Sequence, residues 1–389
     1  MSSLRDSQII RLTTASISCF ASTFMALMIY FGEDSRPGRN GSRSLVGLQL
    51  PYTRIIFGLA ISDIIQSLGI LISPFAAPSD TPEAIFARGN TRSCEFAGFL
   101  LSGAVAVPMY TVLLMFYFFC RVRWKLSKIE FAKRYEKYGH GFIILWTLIG
   151  ALFSTINGDI NASRYGSLCV MHPYPIGCDK DPDIYGECTR GEHSIRNAAI
   201  LQYGPVCISF ILLVAMLIIL IWTVFREERI LHIQHLTALR RRNHREGNVV
   251  PQQLEQNGSY PLTRETCIQA CLYISAFLLC YIFILINVIS IFVLGDHPRW
   301  TFHAISLFWP SGGLFNILIY IRPKVMKLKV AHPHLGYCAR VLLVFLFGGE
   351  APAQRYLSRR NRRMSSQDIP DQAAQAAAIN DFDNLFLQL

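Results

Sequence analysis

A single acidic side chain lies deep within an apolar stretch of this sequence. It is Asp63, in the run LAISDIIQSLGIL. A second apolar run, SGGLFNILIYIRP at residues 311–323, contains Asn316 and Tyr320 together with two adjacent glycines. Polar and ionisable groups are costly in apolar surroundings and indicate a functional site when they occur there. One buried acid is too few for a proton relay.

The positions of the lysines argue against one light-dependent chemistry. A retinal Schiff base requires a lysine amine within the apolar core. All eight lysines lie outside the apolar segments. We therefore do not expect a light-driven pump or a sensory opsin.

Asp63 and Asn316 are predicted to meet. Asp63 follows Arg54 by nine residues, which is about 13 Å along a helix. Asn316 precedes Arg322 by six residues, which is about 9 Å. If both arginines mark the same membrane surface, the two depths agree within one helical turn, and the polar groups satisfy each other directly or through water. Tyr320 lies one turn from Asn316 on the same face.

Gly312 and Gly313 lie just before this asparagine. Because they lack side chains, a neighbouring helix can approach closely there, or the segment can bend together with Pro310. We interpret the glycines and the three polar residues as an internal network near a bendable point. A static structural clamp is the alternative.

Seven apolar segments position these residues. The chain has 52% hydrophobic and 16% charged residues, whereas a soluble domain has about 25% charged residues. Most segments reach the roughly 20 residues needed to span a bilayer, and the fourth is short. The segments are 9–31, 52–77, 95–119, 141–156, 198–225, 267–294 and 302–321. The predicted fold is an all-α membrane protein, a seven-transmembrane helix bundle, whose first segment is an uncleaved signal-anchor.

The basic residues predict the orientation of the bundle. With residues 1–8 as a short external N-terminus, most of the 37 lysines and arginines lie on the cytosolic side. This is the distribution that the positive-inside rule describes. The C-terminus is then cytosolic as well.

Four cysteines lie on the proposed external face, where disulfides form. Cys94 begins the third segment, and Cys169, Cys178 and Cys188 lie in the loop after the fourth. Four cysteines permit three pairings, and we expect Cys94 to pair with one of the other three and hold this loop over the bundle. Free thiols are the alternative. Asn161 in NAS is a glycosylation sequon on the same face.

These motifs together resemble those of a G-protein-coupled receptor. The set comprises LAISD in the second segment, Cys94 opening the third, Trp146 in the fourth and FNILIY closing the seventh. More closely, CEFAGF at 94–99 and GGLFNILIYIRP resemble the slime-mould cyclic-AMP receptors and the fungal glucose-sensing receptors. The likeness covers roughly residues 9–325.

The resemblance implies a cell-surface receptor in the plasma membrane that passes a signal to a cytosolic heterotrimeric G protein. It also implies that Asp63, Asn316 and Tyr320 act in switching. Arg121 and Arg123, at the end of the third segment, would face the G protein. The sequence departs from the main rhodopsin-like pattern, because isoleucine replaces the proline after Asn316 and no acidic residue precedes Arg121.

The outer halves of the segments contain three candidate pocket residues, Tyr203, Asn287 and His303. Apart from Arg11, close to the outer end of the first segment, these halves contain no lysine or arginine, so a phosphate-bearing ligand would depend on residues at the rim. We expect a neutral small molecule or a peptide as the external ligand. We do not expect cyclic AMP, the ligand of the slime-mould receptors that the sequence resembles, to be the ligand of this protein.

A transporter or channel is the alternative function, although it would need polar residues along several segments or repeated halves. His232 and His235 are a poor metal signal without a third ligand. We expect no metal, cofactor, enzymatic activity or nucleic-acid partner. We expect the lipid bilayer to surround the helix bundle.

The end of the chain is predicted to lie in the cytosol. Residues 326–349 read as an interfacial juxtamembrane segment in which Cys338 is a candidate for palmitoylation. We predict that residues 350–389 form a disordered tail, in which Ser365 and Ser366 are candidate phosphorylation sites.

Overall fold

The structure is a computed structural model of the chain. It describes residues 2–31, 50–81, 84–163, 168–175, 178, 183, 186–243, 260–294 and 299–347. The predicted tail at 350–389, with Ser365 and Ser366, lies outside the described residues.

Within the described residues, seven helical spans are long and apolar enough to cross a membrane, which confirms the predicted fold class. Lipid cannot satisfy free backbone groups, so an apolar segment of this length folds as a helix. The spans, numbered 1 to 7 in chain order, are Arg5–Tyr30, Pro51–Ala76, Thr91–Arg123, Lys128–Ile156, Ser194–Arg226, Cys267–Ser290 and Trp300–Ala331. Spans 1, 5 and 6 belong to longer helices: Ser2–Tyr30, Gly204–Asn243 and Tyr260–Leu294.

Four of the spans contain a change in helical winding. Span 3 changes to a 3₁₀ turn at Gly103–Val105, between helices Thr91–Ser102 and Ala106–Arg123. Span 4 has helix Lys128–Phe131, a π turn at Ala132–Glu136 and helix Lys137–Ile156. Span 5 begins with helix Ser194–Ala198 and a π turn at Ala199–Tyr203. Span 7 consists of helix Arg299–Phe308, a 3₁₀ turn at Trp309–Ser311 and helix Gly312–Ala331.

Span 4 is longer than the sequence predicted. The predicted segment began at 141, but the helix begins at Lys128. Ser127 caps it, since its hydroxyl accepts from the Glu130 N–H while the Glu130 carboxylate accepts from the Ser127 N–H. This capping box satisfies two of the N–H groups that a helix start leaves free. Hydropathy alone missed this start because the first turns of the helix are rich in charged residues.

The ends of spans 1 and 7 also differ from the prediction. The first helix begins at Ser2, so residues predicted as a separate external N-terminus are part of it. Span 7 continues through Pro323 to Ala331 and takes in the first residues of the predicted interfacial segment. A short helix, Tyr337–Phe347, follows. It packs back on span 1, where the rings of Phe24 and Phe345 stack with centroids 4.3 Å apart.

Span 3 is the most buried of the seven spans, and spans 4 and 5 are the least buried. On span 4, Ile144, Leu148 and Leu152 are each about half exposed. They are spaced four residues apart and therefore form one apolar stripe along the helix. A stripe of this kind suits contact with lipid tails.

A β-hairpin lies between spans 4 and 5. Its strands, β1 (Ile160–Ala162) and β2 (Cys169–Met171), are antiparallel, with Ile160 opposite Met171. The hairpin covers one end of the bundle, which we call the outer end, following the predicted orientation. The opposite end, where Arg54 and Arg121 lie, is called the inner end.

Candidate functional site

The structure brings Asp63 of span 2 and Asn316 of span 7 into contact. The Asn316 Nδ2 donates a hydrogen bond to Asp63 Oδ2 at 2.7 Å. Both side chains are buried, with Asp63 only 2% exposed. A buried polar group without a partner costs several kcal/mol, on the order of 2–7, so the pair stabilises the contact between the two spans.

The two glycines serve different contacts in the same place. A Cβ at Gly312 would lie 3.5 Å from Asp63 Oδ1, which is ordinary contact. A Cβ at Gly313 would lie 2.0 Å from Ser22 Oγ and 2.8 Å from the Ser18 carbonyl oxygen. The Gly313 N–H also donates to Ser18 Oγ at 3.0 Å. Gly313 therefore allows span 7 to lie directly against span 1.

Span 7 is interrupted just above these glycines by the 3₁₀ turn at Trp309–Ser311. Pro310 has no N–H to donate, and a proline here favours a bend. The Gln66 side chain donates to the Trp309 carbonyl oxygen at 3.4 Å. Gln66 was missed in the sequence analysis, although it follows Asp63 by three residues and therefore lies on the same helix face.

Tyr320 lies one turn closer to the inner end than Asn316, and its side chain is also buried. The Lys324 ammonium lies 4.7 Å from the centre of the Tyr320 ring. This distance is typical of a cation–π contact. Tyr320 thus joins the polar centre of span 7 to the basic residues that follow it.

A cavity of about 80 Å³ lies at the outer end, beneath the hairpin. Spans 3, 5, 6 and 7 form its walls, and Cys169 and Val170 of strand β2 form its roof. Its lining residues are Gly98, Leu101, Ser102, Ala104, Val105, Cys169, Val170, Gln202, Tyr203, Val206, Tyr281, Ile284 and Trp309. The lining is mostly apolar with a few polar groups, the composition typical of small-molecule sites.

A disulfide between Cys94 and Cys169 holds the roof on span 3. A second disulfide joins Cys178 to Cys188 within the same loop. Close packing also positions the hairpin, because a Cβ at Gly98 would lie 2.2 Å from Ile160 Cγ2. Only a residue without a side chain fits at Gly98 while the hairpin keeps this position.

The π turn in span 5 shapes one wall of the cavity. It contains Gln202 and Tyr203, both of which line the cavity. The Gln202 Nε2 donates a hydrogen bond to Ser102 Oγ at 3.4 Å. Single π turns within helices occur frequently at functional sites. Hydropathy carries no signal for such a turn, so the sequence analysis missed Gln202.

The three predicted pocket residues do not lie together. Tyr203 lines the cavity, whereas Asn287 and His303 are not among its lining residues. Asn287 instead accepts a hydrogen bond from the Thr301 hydroxyl at 3.1 Å, which joins spans 6 and 7 near the outer end. We therefore assign Asn287 to helix contact and do not retain it as a ligand residue.

The prediction of a glycan on Asn161 disagrees with the structure. Asn161 lies in strand β1 and is only 5% exposed. Its Nδ2, the atom that would bear the glycan, donates to the carbonyl oxygens of Gly158 and His172 at 3.1 and 2.7 Å. The side chain holds the hairpin together, and its amide is engaged in these two hydrogen bonds.

At the inner end, Arg121 Nη1 donates to the Leu126 carbonyl oxygen at 2.7 Å, just beyond its own span. Arg123 is exposed. An ion pair that the sequence analysis did not identify lies nearby: Arg54 Nε and Nη2 donate to the two carboxylate oxygens of Glu136 at 2.6 and 2.7 Å. This two-pronged contact ties span 2 to span 4.

Within the described residues, no group of three or more histidine, cysteine or acidic side chains is placed to hold a metal ion. The side chains of His232 and His235 are not among those that the structure describes. Cys338, the candidate for lipidation, is exposed on the short helix after span 7.

No family model matches the sequence. No curated protein matches it either. Among solved structures, the chain is similar to squid rhodopsin, with a TM-score of 0.52 and 16% sequence identity over 85% of each chain. At this identity the likeness defines the fold alone, so the chain has the seven-helix membrane fold that rhodopsin has. The resemblance to the slime-mould and fungal receptors stays a prediction.

Proposed function

We propose that this protein is a G-protein-coupled receptor of the plasma membrane, which binds an external ligand and signals to a cytosolic heterotrimeric G protein. The seven-helix fold shared with rhodopsin supports this class. The proposed orientation places the N-terminus and the hairpin outside. The proposed receptor domain covers residues 9–325, and the basic inner end, with Arg121 and Arg123, would face the G protein.

One observation carries the proposal: the cavity and the polar pair are joined through one short segment. Trp309 lines the cavity and also begins the 3₁₀ turn of span 7. Gln66 holds this turn from span 2, three residues after Asp63. Gly312 follows the turn directly and lies against Asp63. A ligand that moves Trp309 would therefore act on the segment that positions the Asp63–Asn316 contact.

The lining of the cavity supports a small neutral ligand. Its lining residues among those that the structure describes include no acidic or basic side chain, and Ser102, Gln202, Tyr203 and Tyr281 supply its polar groups. Typical ligand pockets measure about 300–1,000 Å³, so a cavity of about 80 Å³ must widen for most ligands.

Widening gives a physical route for the signal. A ligand shifts the balance between two packings only by the difference in its affinity for them. A ligand that fits a widened cavity favours a packing in which Trp309 and the 3₁₀ turn have moved. That packing would rearrange the polar contact of span 7 and open the inner end to a partner helix.

The test is nucleotide exchange on a panel of purified G proteins, with membranes that carry the wild-type chain or the variants Asp63→Ala and Asn316→Ala. Leu318→Ala is the matched control, because Leu318 lies on the same helix and is 48% exposed on its outward face. We expect basal or ligand-driven exchange that the two buried variants change and the control does not. Absence of exchange across the panel and a broad set of neutral ligands, together with measurable solute or ion flux, would instead identify a transporter or channel.

A further inference from the structure

The first turn of span 2 carries two polar side chains that reach different neighbours at the inner end. Arg54 binds Glu136 of span 4, as described above. Tyr52, two residues earlier, points towards span 6, where the Gln269 Nε2 donates to the Tyr52 hydroxyl. Span 2 is therefore joined to span 4 on one side and to span 6 on the other.

Tyr52 is also held by aromatic contacts with span 3. Its ring centroid lies 6.3 Å from that of Tyr117 and 5.8 Å from that of Phe118. Tyr117, Phe118 and Tyr273 of span 6 are all buried and belong to the hydrophobic core of the bundle. The described inner ends of spans 2, 3 and 6 are thus packed together through Tyr52 and its neighbours.

The two contacts of span 2 differ in strength. A two-pronged arginine–carboxylate contact is about twice as strong as a hydrogen bond between neutral groups. The Glu136 side chain is also 5% exposed, so breaking its contact with Arg54 would leave a buried charge. The contact between Gln269 and Tyr52 joins neutral groups, which water can hydrate again once they separate. Span 6 is therefore the neighbour that parts from span 2 more easily.

We propose that Tyr52 and Gln269 form a latch that holds the inner end of span 6 against span 2 and keeps the bundle closed to a cytosolic partner. The inference rests on the proposed receptor function, because it names the contact that regulates access to the same inner face. Arg54 and Glu136 act as the anchor that keeps span 2 in place while span 6 moves. Arg121 has a separate role, since its Nη1 binds the Leu126 carbonyl oxygen.

The test uses Tyr52→Phe, which removes the hydroxyl and keeps the ring, and Gln269→Leu, which removes the amide at similar volume. Tyr138→Phe is the matched control, because Tyr138 is 77% exposed. The first measurement is the distance between spin labels on unnatural amino acids at Lys128 and Glu265, both exposed, at the inner ends of spans 4 and 6. It requires no G protein.

Each latch variant should raise the ratio of the long-distance to the short-distance population by about two- to tenfold, the effect of one neutral hydrogen bond. The double variant should raise the ratio by less than the product of the two single changes, because both substitutions remove the contact between Tyr52 and Gln269. Basal nucleotide exchange should rise by a similar factor. Tyr138→Phe should behave as wild type in both measurements.

Two results separate the latch from the receptor function. If Tyr52→Phe and Gln269→Leu both keep the wild-type distance distribution, the latch is wrong whatever the exchange assay gives. If the distances lengthen but no G protein responds, the latch is supported and the proposed coupling is wrong. Before the distance and exchange measurements are interpreted, delivery of each variant to the cell surface at the wild-type level establishes that it folds.

Discussion

Replacing Gly313 with alanine should separate spans 1 and 7. The new Cβ would lie 2.8 Å from the Ser18 carbonyl oxygen, whereas ordinary contact begins at 3.4 Å, so the backbones must move apart by about 0.6 Å. It would also lie 2.0 Å from Ser22 Oγ, which can rotate away more easily than a backbone atom. Overpacking of this kind costs about 1–3 kcal/mol. Weakening the Gly313 hydrogen bond to Ser18 adds about 1 kcal/mol.

The expected loss in the free energy of unfolding is therefore about 2–4 kcal/mol, measured by reversible SDS titration in mixed micelles. Gly312→Ala is a matched control at the adjacent position, because its Cβ would meet Asp63 Oδ1 at an ordinary 3.5 Å. It should leave the free energy of unfolding unchanged or raise it by up to about 1 kcal/mol through better helix propensity. Adding Ser22→Ala to Gly313→Ala should recover part of the loss. If the two glycine variants are equally stable, spans 1 and 7 do not approach as described.

Two further predictions concern the roof of the cavity. Cys169→Ala should lower the free energy of unfolding by about 4 kcal/mol, because its bridge to Cys94 joins positions 75 residues apart; a loss below about 1 kcal/mol would contradict this role. Gly98→Ala should push the hairpin away from span 3, since its Cβ would lie 2.2 Å from Ile160 Cγ2. Amide hydrogen exchange in the hairpin should then speed up about tenfold, equivalent to about 1.4 kcal/mol, while Gly141→Ala, with nothing within 4 Å, should match wild type.

The seven spans were predictable because an apolar segment in lipid has few conformations open to it. The contact between Asp63 and Asn316 was predictable as well, because the depth of a residue follows from its distance to the nearest basic residue. Both predictions depend only on the position of each residue along its helix axis. They require no knowledge of how each helix is rotated about that axis.

The contacts that depend on rotation were not predictable. Lipid-facing and helix-facing side chains are both apolar, so hydropathy does not say which face of a span meets its neighbour. The sequence left open which cysteine pairs with Cys94, because its three candidate partners lie in the same loop. It also gave no sign that Gln202 would face Ser102, or that Tyr52 would meet Gln269.

Asn161 illustrates the same limit outside the bundle. The sequon is a property of three adjacent residues, whereas the accessibility of the amide depends on the hairpin that surrounds it.

The sequence by itself determined the number of spans, their order and the depth of their polar residues, because these follow from local composition and helix rise. Only the tertiary structure decided which faces meet, where the helices change winding and what covers the outer cavity. These features arise from close packing between residues far apart in the chain, such as Gly313 against Ser18 and Gly98 against Ile160. Packing of this kind depends on the exact shape of both surfaces, and the composition of either segment alone does not specify it.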